Sequence, residues 1–186
     1  MSHNNLINQF LIAMPSLNDP SFEKAVTYIC AHNKDGAMGI VINKPMDIEL
    51  GDIFEQMEIT GTYRAAKQRP VFHGGPVHVD RGFILHRANT QWDSSIMVSE
   101  GICVTTSKDI LESIAEGKGP DDAIIALGYA GWSGGQLEDE ILNNSWLNGP
   151  ANEHIIFHTP HDQCWHSAVA NIGIDLDKLS TDIGHA

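Results

Sequence analysis

The sequence predicts an α+β fold in one domain, built on a bent, mixed or largely antiparallel sheet with helices flanking it. Three observations lead there. Short apolar runs arrive in hairpin order, helical patterns are inserted between hairpins rather than after every strand, and no linker, internal repeat or low-complexity tract divides the chain. Regular strand–helix alternation would instead indicate a doubly wound parallel sheet. At 186 residues, 42% of them apolar, residues 1–186 are most simply one domain with a sizeable core.

Taken in order, Gln9 to Met14 is a short strand stopped by Pro15. Asp19-Pro20 signals a helix start of about one turn, because Asp caps free N–H groups and Pro loses nothing at the first helical position. Ala25 to His32 and Ala37 to Asn43 form a hairpin around Asn33-Lys34-Asp35-Gly36, and Pro45 ends it. Leu50, Ile53, Phe54 and Met57 share one helical face. The polar stretch from Thr60 to Gln68 reads as a loop and the most mobile part of the domain. Val71-Phe72 opens a strand cut by Gly74-Gly75-Pro76, and Gly82 to His86 is another. Ile96 to Thr105 reads as a third hairpin turning at Glu100-Gly101. Thr106 with Asp109 fits a capping box for a helix that ends at Glu116 before Gly117. Ala123 to Ala130 is a strand, followed by a second capping box, Ser133 with Gln136, for a helix to Asn143 or Asn144. Ile155 to His158 reads as the last strand. Thr159-Pro160-His161-Asp162 starts a final helix with a stripe of Trp165, Ala168, Val169 and Ile172, closed by Gly173. The tail beyond is polar and expected to be loose.

Charge narrows the partners. Eleven Lys and Arg against 24 Asp and Glu give a net charge of −13. Nucleic-acid affinity comes largely from cations on phosphate, and the nearest approach to a basic run is Arg64 to Arg69 with one Lys between. Direct, non-specific nucleic-acid binding is not expected. The 10 histidines make solubility pH-dependent. Cys30, Cys103 and Cys164 are odd in number, far apart and form no CxxC pair, which fits buried thiols in a reducing compartment. No signal peptide or membrane-length apolar run is present in the sequence, so the expected location is cytoplasmic.

The candidate sites cluster at glycines. Leu127-Gly-Tyr-Ala-Gly-Trp-Ser-Gly-Gly-Gln136 runs from a strand through a glycine-rich turn into a helix, the order of a phosphate-binding loop. Glu138, Asp139 and Glu140 then occupy the positive end of the helix, where a phosphate would meet like charge. His73-Gly74-Gly75-Pro76 with Arg81 is the anion-site candidate: successive glycine N–H groups can converge on an anion and Arg adds a bidentate donor. The same residues also read as a tight turn with Arg81 paired to an acid. Gly131-Trp-Ser133-Gly-Gly135 matches the G-x-S-x-G nucleophile elbow in letters, although Ser133 is equally accounted for as a helix cap. Trp132 lines a pocket or seals a core edge. Glu138 and Glu140 point about 200° apart on a helix and cannot share a proton. His154 and His158, read on a strand, and His161 and His166 near Cys164, read on a helix, do not converge as a metal site requires. No metal and no cofactor is implied.

As an ordered set, these landmarks resemble the YqgE/AlgH family of small bacterial proteins. The matching segments are Phe10 to Pro15 with Asp19-Pro20-Ser-Phe22; Gly36 to Pro45; His73 to Val77 with Arg81 to His86; Leu127 to Trp132 with Gly135 to Glu138; and Asn144 to Leu147. The likeness runs from about residue 6 to residue 173, which is also the expected ordered core. It implies a bent sheet closed into a pseudo-barrel with helices outside. It also implies the name of transcriptional regulator that some members carry, on genetic grounds more than from a DNA complex, and it supplies no catalytic residues.

The expectation is therefore a cytosolic, non-enzymatic binding or regulatory protein. It would act through a protein or small-molecule partner, with His73, Gly74, Gly75, Arg81, Trp132 and Ser133 as candidate ligand-binding residues. The alternative is a small hydrolase or an anion or small-ligand site using Ser133 or the Gly74-Gly75-Arg81 turn. A chaperone-like or scaffold role would need an exposed apolar patch.

Overall fold

In a computed structural model, residues 5–174 are described except positions 16, 18 and 21; the tail from residue 175 lies outside the described residues. The strands are β1 (Gln9–Ala13), β2 (Val26–Asn33), β3 (Gly36–Val41), β4 (Pro45–Glu49), β5 (Pro70–His73), β6 (Val77–Arg87), β7 (Ser95–Met97), β8 (Ile102–Thr105), β9 (Ala123–Ser133) and β10 (Trp146–Pro150). The helices are α1 (Leu50–Gln56), α2 (Arg64–Lys67), α3 (Lys108–Ala115), α4 (Gln136–Leu142), α5 (Glu153–His158) and α6 (Cys164–Asn171). The sheet runs β10-β1-β2-β3-β9-β6-β8-β7, with β4 and β5 branching from β9. It is an α+β fold whose sheet curls into a half-barrel. Every described strand pair is antiparallel except β5 with β9.

The apolar runs are continuous because the sheet is buried on both faces. Successive side chains point to opposite faces. On one face Phe10, Ile12, Val26, Tyr28, Phe83, Leu85 and Ala126 share a core with Ile155 and Ile156 of α5 and Trp165, Ala168 and Val169 of α6. On the other face there are two separate cores. Val71, Ile84 and Ile125 pack under α1, α2 and α3; Leu11, Ala13, Ile29, Val41 and Ala130 pack with Leu137 of α4 and Trp146. Trp165 is pinned by donating its indole N–H to the Ala13 carbonyl at 2.8 Å.

Several elements differ from expectation. The Asp19-Pro20 segment forms successive turns, with Phe22 N–H on Asp19 O and Ala25 N–H on Phe22 O, and no helix among its described residues. Lys24 at φ 52° breaks any helical run, and the link must return at once because Ile12 pairs with Val26. Pro45 starts β4 instead of only ending β3; it is tolerated as the first residue of a strand whose one neighbour is β5. The Thr60–Gln68 stretch contains α2, whose Ala66 is buried in the core under α1 and α3. The cap of α3 is Ser107, not Thr106, and its hydroxyl donates to Asp109 Oδ1. β9 continues three residues past Ala130, to Ser133. The largest difference is Ile155 to His158, which is helix α5; the last strand is β10. An apolar run this short fits either period. Asn152 decides it locally, its side chain accepting the Ile155 N–H at 3.2 Å.

The tightest point is the crossing of the turn after β5 over β9. A Cβ on Gly75, at φ +155°, would lie 2.1 Å from the Tyr129 carbonyl carbon, and one on Gly74 would lie 2.4 Å from Gly128 O. Gly82 is the opposite case: a Cβ there would meet nothing within 4 Å. Gly75→Ala should therefore cost about 3 kcal/mol of stability, because two backbones must part. Gly82→Ala should be neutral or gain up to about 0.5 kcal/mol, since a strand glycine is entropically costly. Urea denaturation of the two variants checks both.

At the other sheet edge, a buried hydroxyl chain secures β7. His86 is fully buried. Its Nδ1–H donates to the Arg87 carbonyl at 2.8 Å, so Nε2 is the acceptor for Thr105 Oγ1 at 2.6 Å. Ser95 Oγ then donates to Thr105 Oγ1 at 2.6 Å. Burial lowers the His86 pKa, more than the Arg87 carbonyl raises it. The unfolded chain therefore binds the proton more readily, and stability falls as pH drops below the ordinary histidine value of about 6.5. The His86 ring should stay neutral below that pH in an NMR titration. His86→Gln should flatten the loss of urea resistance between about pH 7 and 5.5.

Candidate functional site

The residues singled out in the sequence fall in three places. His73, Gly74 and Gly75 lie together where β5 meets β9. Three of their backbone groups are spent on neighbouring backbone: His73 N–H donates to Lys44 O at 2.7 Å, Gly74 N–H to Leu127 O at 2.8 Å, and Gly74 O accepts from Val41 N–H at 2.9 Å. Both glycines are buried. Their geometry is that of two backbones in contact, and the Gly74 N–H is not open to an anion. Arg81 is exposed and makes no ion pair among the described residues; its guanidinium lies 5.7 Å from the centre of the Phe83 ring. Trp132 and Ser133 sit at the far end of β9, up to about 20 Å along the strand from Leu127.

The structure adds a feature that the sequence reading missed. Between Val77, paired with Tyr129, and Gly82, paired with Leu127, β6 is longer than the stretch of β9 it faces. His78 to Arg81 therefore bulge outward. His78 takes the left-handed φ of 47° and its ring leans on Tyr129 at 5.9 Å, while Val79 is 53% exposed. Bulges of this kind re-aim side chains beside binding sites. Here the bulge borders a cavity of about 590 Å³, within the usual size range for ligand sites. Ile84, Ile125 and Leu127 form its sheet floor. Ile48, Ile53, Met57 and Leu111 form its walls, and Asp52, Gln56, Asp80, Arg81, Thr106, Ser107 and Lys108 its rim. Of the six sequence candidates, Arg81 alone borders it. The readable signal was the polar His78 to Arg81 stretch between Pro76 and Gly82, too hydrophilic for a strand interior and too short for a loop with its own structure.

The rim of this cavity is not a ready anion seat. The first turn of α3 already holds an acid: Asp109 Oδ1 accepts from Ile110 N–H at 3.0 Å and its Oδ2 from Asp93 N–H at 2.8 Å. Burial alone would push the Asp109 pKa up, but the Ser107 hydroxyl and these N–H groups outweigh it and hold it below the usual value. Asp52 completes the capping box of α1 by accepting from Glu49 N–H at 2.9 Å.

Histidines and cysteines are used structurally. His154 and His158 lie one turn apart on α5 with ring centres 5.7 Å apart, not spread along a strand as the sequence suggested. His158 Nε2 lies 3.2 Å from Asp122 Oδ2, which Arg87 Nε also contacts at 2.6 Å, and Arg87 reaches Glu153 as well. The Arg87 hydrogen bond holds the Asp122 carboxyl below its usual range. Among the described residues no three His, Cys, Asp or Glu side chains converge on a possible metal position. All three thiols are free. Burial raises the pKa of each, that of Cys164 to about 12, so thiolate chemistry is suppressed.

Ser133 belongs to a polar clamp. The N-cap of α4 is Gly135, not Ser133. Gln136 Oε1 instead accepts the Ser133 N–H at 3.0 Å and its hydroxyl at 3.2 Å. Gln136 Nε2 donates to Glu140 Oε2 at 3.0 Å. The other Glu140 oxygen accepts both indole N–H groups, from Trp132 and from Trp146, each at 3.1 Å. The two rings meet edge to face at 6.1 Å. Trp132 thus seals the core under α4, and only Glu138 and Asp139 are first-turn acids of that helix. Glu138 accepts instead from His32 Nε2 at 2.7 Å, whose Nδ1 accepts the Leu6 N–H at 3.0 Å. Glu140→Ala should cost about 2–4 kcal/mol, because two buried indole donors lose their partner. Glu140→Gln should cost roughly half as much, since one acceptor oxygen survives. Urea unfolding followed by tryptophan fluorescence measures the pair.

Comparison with known proteins places this geometry in a lineage. A family model described as AlgH-like matches residues 10–177. A UPF0301 protein of Thioalkalivibrio sulfidiphilus is 57% identical over 182 residues, covering 98% of this chain and 97% of that protein. A UPF0301 protein of Vibrio cholerae is 50% identical, covering 98% of this chain and 100% of that protein. The solution structure of the AlgH protein from Pseudomonas aeruginosa superposes with a TM-score of 0.81 at 41% identity, covering 100% of this chain and 98% of that one. A crystal structure from Corynebacterium diphtheriae, at 18% identity and a TM-score of 0.73 over 97% of this chain and 94% of that one, shares the fold. The chain belongs to the AlgH-like, UPF0301 family.

Proposed function

We propose that this protein is a non-enzymatic binding or regulatory protein of the cytoplasm, formed by residues 1–186 as one AlgH-like domain, and that it works through a partner held at the cavity beside the β6 bulge. The observation that carries this reading is the cavity itself: about 590 Å³, floored by Ile84, Ile125 and Leu127, and opened by a strained strand bulge. At the other candidate positions the groups that best suited an anion or a nucleophile are engaged. The Ser133 hydroxyl is held by Gln136, and the Gly74 N–H is used by β9. Any influence on transcription then runs through the partner. A net charge of −13 opposes bare DNA, whose affinity for proteins is mostly cation on phosphate. Three free thiols held protonated by burial support a reducing compartment. Among the described residues no helix is long and apolar enough to cross a membrane.

Two measurements test the reading. Nile red, an uncharged apolar probe, should bind the purified protein with a fluorescence gain. Gly82→Leu, which grows a side chain into the open space beside Ile84, should weaken that binding by about tenfold. In parallel, a promoter-length DNA duplex should show no complex at roughly 100 mM salt. A tight, salt-sensitive DNA complex, or Nile red binding indifferent to Gly82→Leu, overturns the proposal.

A further inference from the structure

We infer that the cavity is one end of a docking groove for a basic amphipathic helical segment of a partner protein; this rests on the reading above that the chain acts through a bound partner. Length is the first argument. The groove lies between α1 and the start of α3, helices of 7 and 8 residues, so each bank is about 10–12 Å long. That accommodates two turns of a third helix, which would present apolar anchors at i, i+3 or i+4, and i+7 to the sheet floor. Met57, 36% exposed on the lip, is the adaptable side chain such grooves favour.

Charge selects the partner. On the α1 bank, Asp52 stands on the lip, with Glu55 and the β4 residues Asp47 and Glu49 lining the adjoining hollow. Asp80 on the bulge lines the same cavity as Asp52. Lys67 borders that hollow, and Lys108 and Arg81 border the groove, Arg81 with its guanidinium over Phe83. On the rim of the cavity itself Asp52 and Asp80 balance Arg81 and Lys108, and the acidic surplus lies in the adjoining hollow, where Asp47, Glu49 and Glu55 face Lys67. The net charge of −13 would further steer a cationic partner and repel an anionic one.

The test uses a fluorescein-labelled synthetic peptide of leucine and lysine, with leucines at i, i+3, i+4 and i+7. Its controls are a scrambled peptide of the same composition and a leucine–glutamate counterpart, all titrated by anisotropy. The patterned basic peptide should bind the intact protein, and salt should weaken the complex. Gly82→Leu should weaken it by about tenfold. The double variant Asp52→Asn, Asp80→Asn should weaken it about fivefold; the amide oxygen introduced on α1 can still accept from Glu49 N–H, so the helix cap survives. Met57→Lys, at an exposed position, repeats the Gly82→Leu test should that variant fold poorly, and a loss of similar size is expected. Equal binding of the scrambled peptide, or no loss in either groove variant, would reduce the effect to surface charge and overturn the inference. Preference for the glutamate peptide overturns the charge assignment. If Nile red still binds in a Gly82-dependent way while no peptide does, the inference fails and the binding reading stands. If neither probe depends on Gly82, both fall.

Discussion

Everything in this fold is arranged around one backbone contact, the crossing of Gly74 and Gly75 over Gly128 to Ala130. β9 is the strand that both halves of the sheet share. Its first half lies between β5, in parallel, and β6, antiparallel; its second half exchanges β5 for β3. The exchange requires β5 to leave the sheet just where β3 enters, and no side chain can occupy that gap. Gly74 closes it by bonding to both neighbours, Leu127 on β9 and Val41 at the end of β3. The cores follow from this. One face sees a continuous sheet and carries one core, while the opposite face is bent at the crossing and carries two.

The glycine-rich motifs are thus explained by sheet geometry, and that half of the interpretation was legible in the sequence. An acidic helix start and a surplus of carboxylates already argued against a phosphate loop. The partner of each glycine was not legible, because it lies on a strand some fifty residues away and depends on register. The hairpin of β2 and β3, the apolar face of α1, and the ends of α3 and α6 were readable from local rules of periodicity and capping. The elements that were misread had local signals pointing both ways. Ile155-Ile156-Phe157 satisfies a strand or a helix, and its choice was made by Asn152 and by the core shared with α6. Trp146 to Pro150, to which the sequence reading gave no element, ends in a turn-like Asn-Gly-Pro, yet it pairs with β1 along its whole length, where an edge position tolerates the proline.

The candidate site was less visible for a physical reason. The sequence showed which residues have chemistry to offer, but not whether a neighbour already claims them. Ser133, Gln136, Glu140 and the two indoles form a closed set of donors and acceptors, so the serine that best matched an elbow is a member of a structural clamp. The cavity, by contrast, is made by residues with no individual signature. Ile84, Ile125 and Leu127 look like any core positions, and become a floor only because α1 and α3 stand apart above them.

That separation has its own cause. The core under α1, α2 and α3 is bounded on one side by the crossing and on the other by the bulge of β6. α2 bridges the flank, with Tyr63 N–H bonded to the Ala115 carbonyl at the end of α3, and this leaves the start of α3 and the end of α1 uncovered. The bulge sets Asp80 and Arg81 on the rim of the gap. A protein that needed only stability would gain by closing this space, since the Gly82 position has room for a side chain and a strand glycine carries an entropic cost. An apolar floor kept open beside a left-handed histidine and a glycine of that kind is the pattern on which the proposed binding role rests.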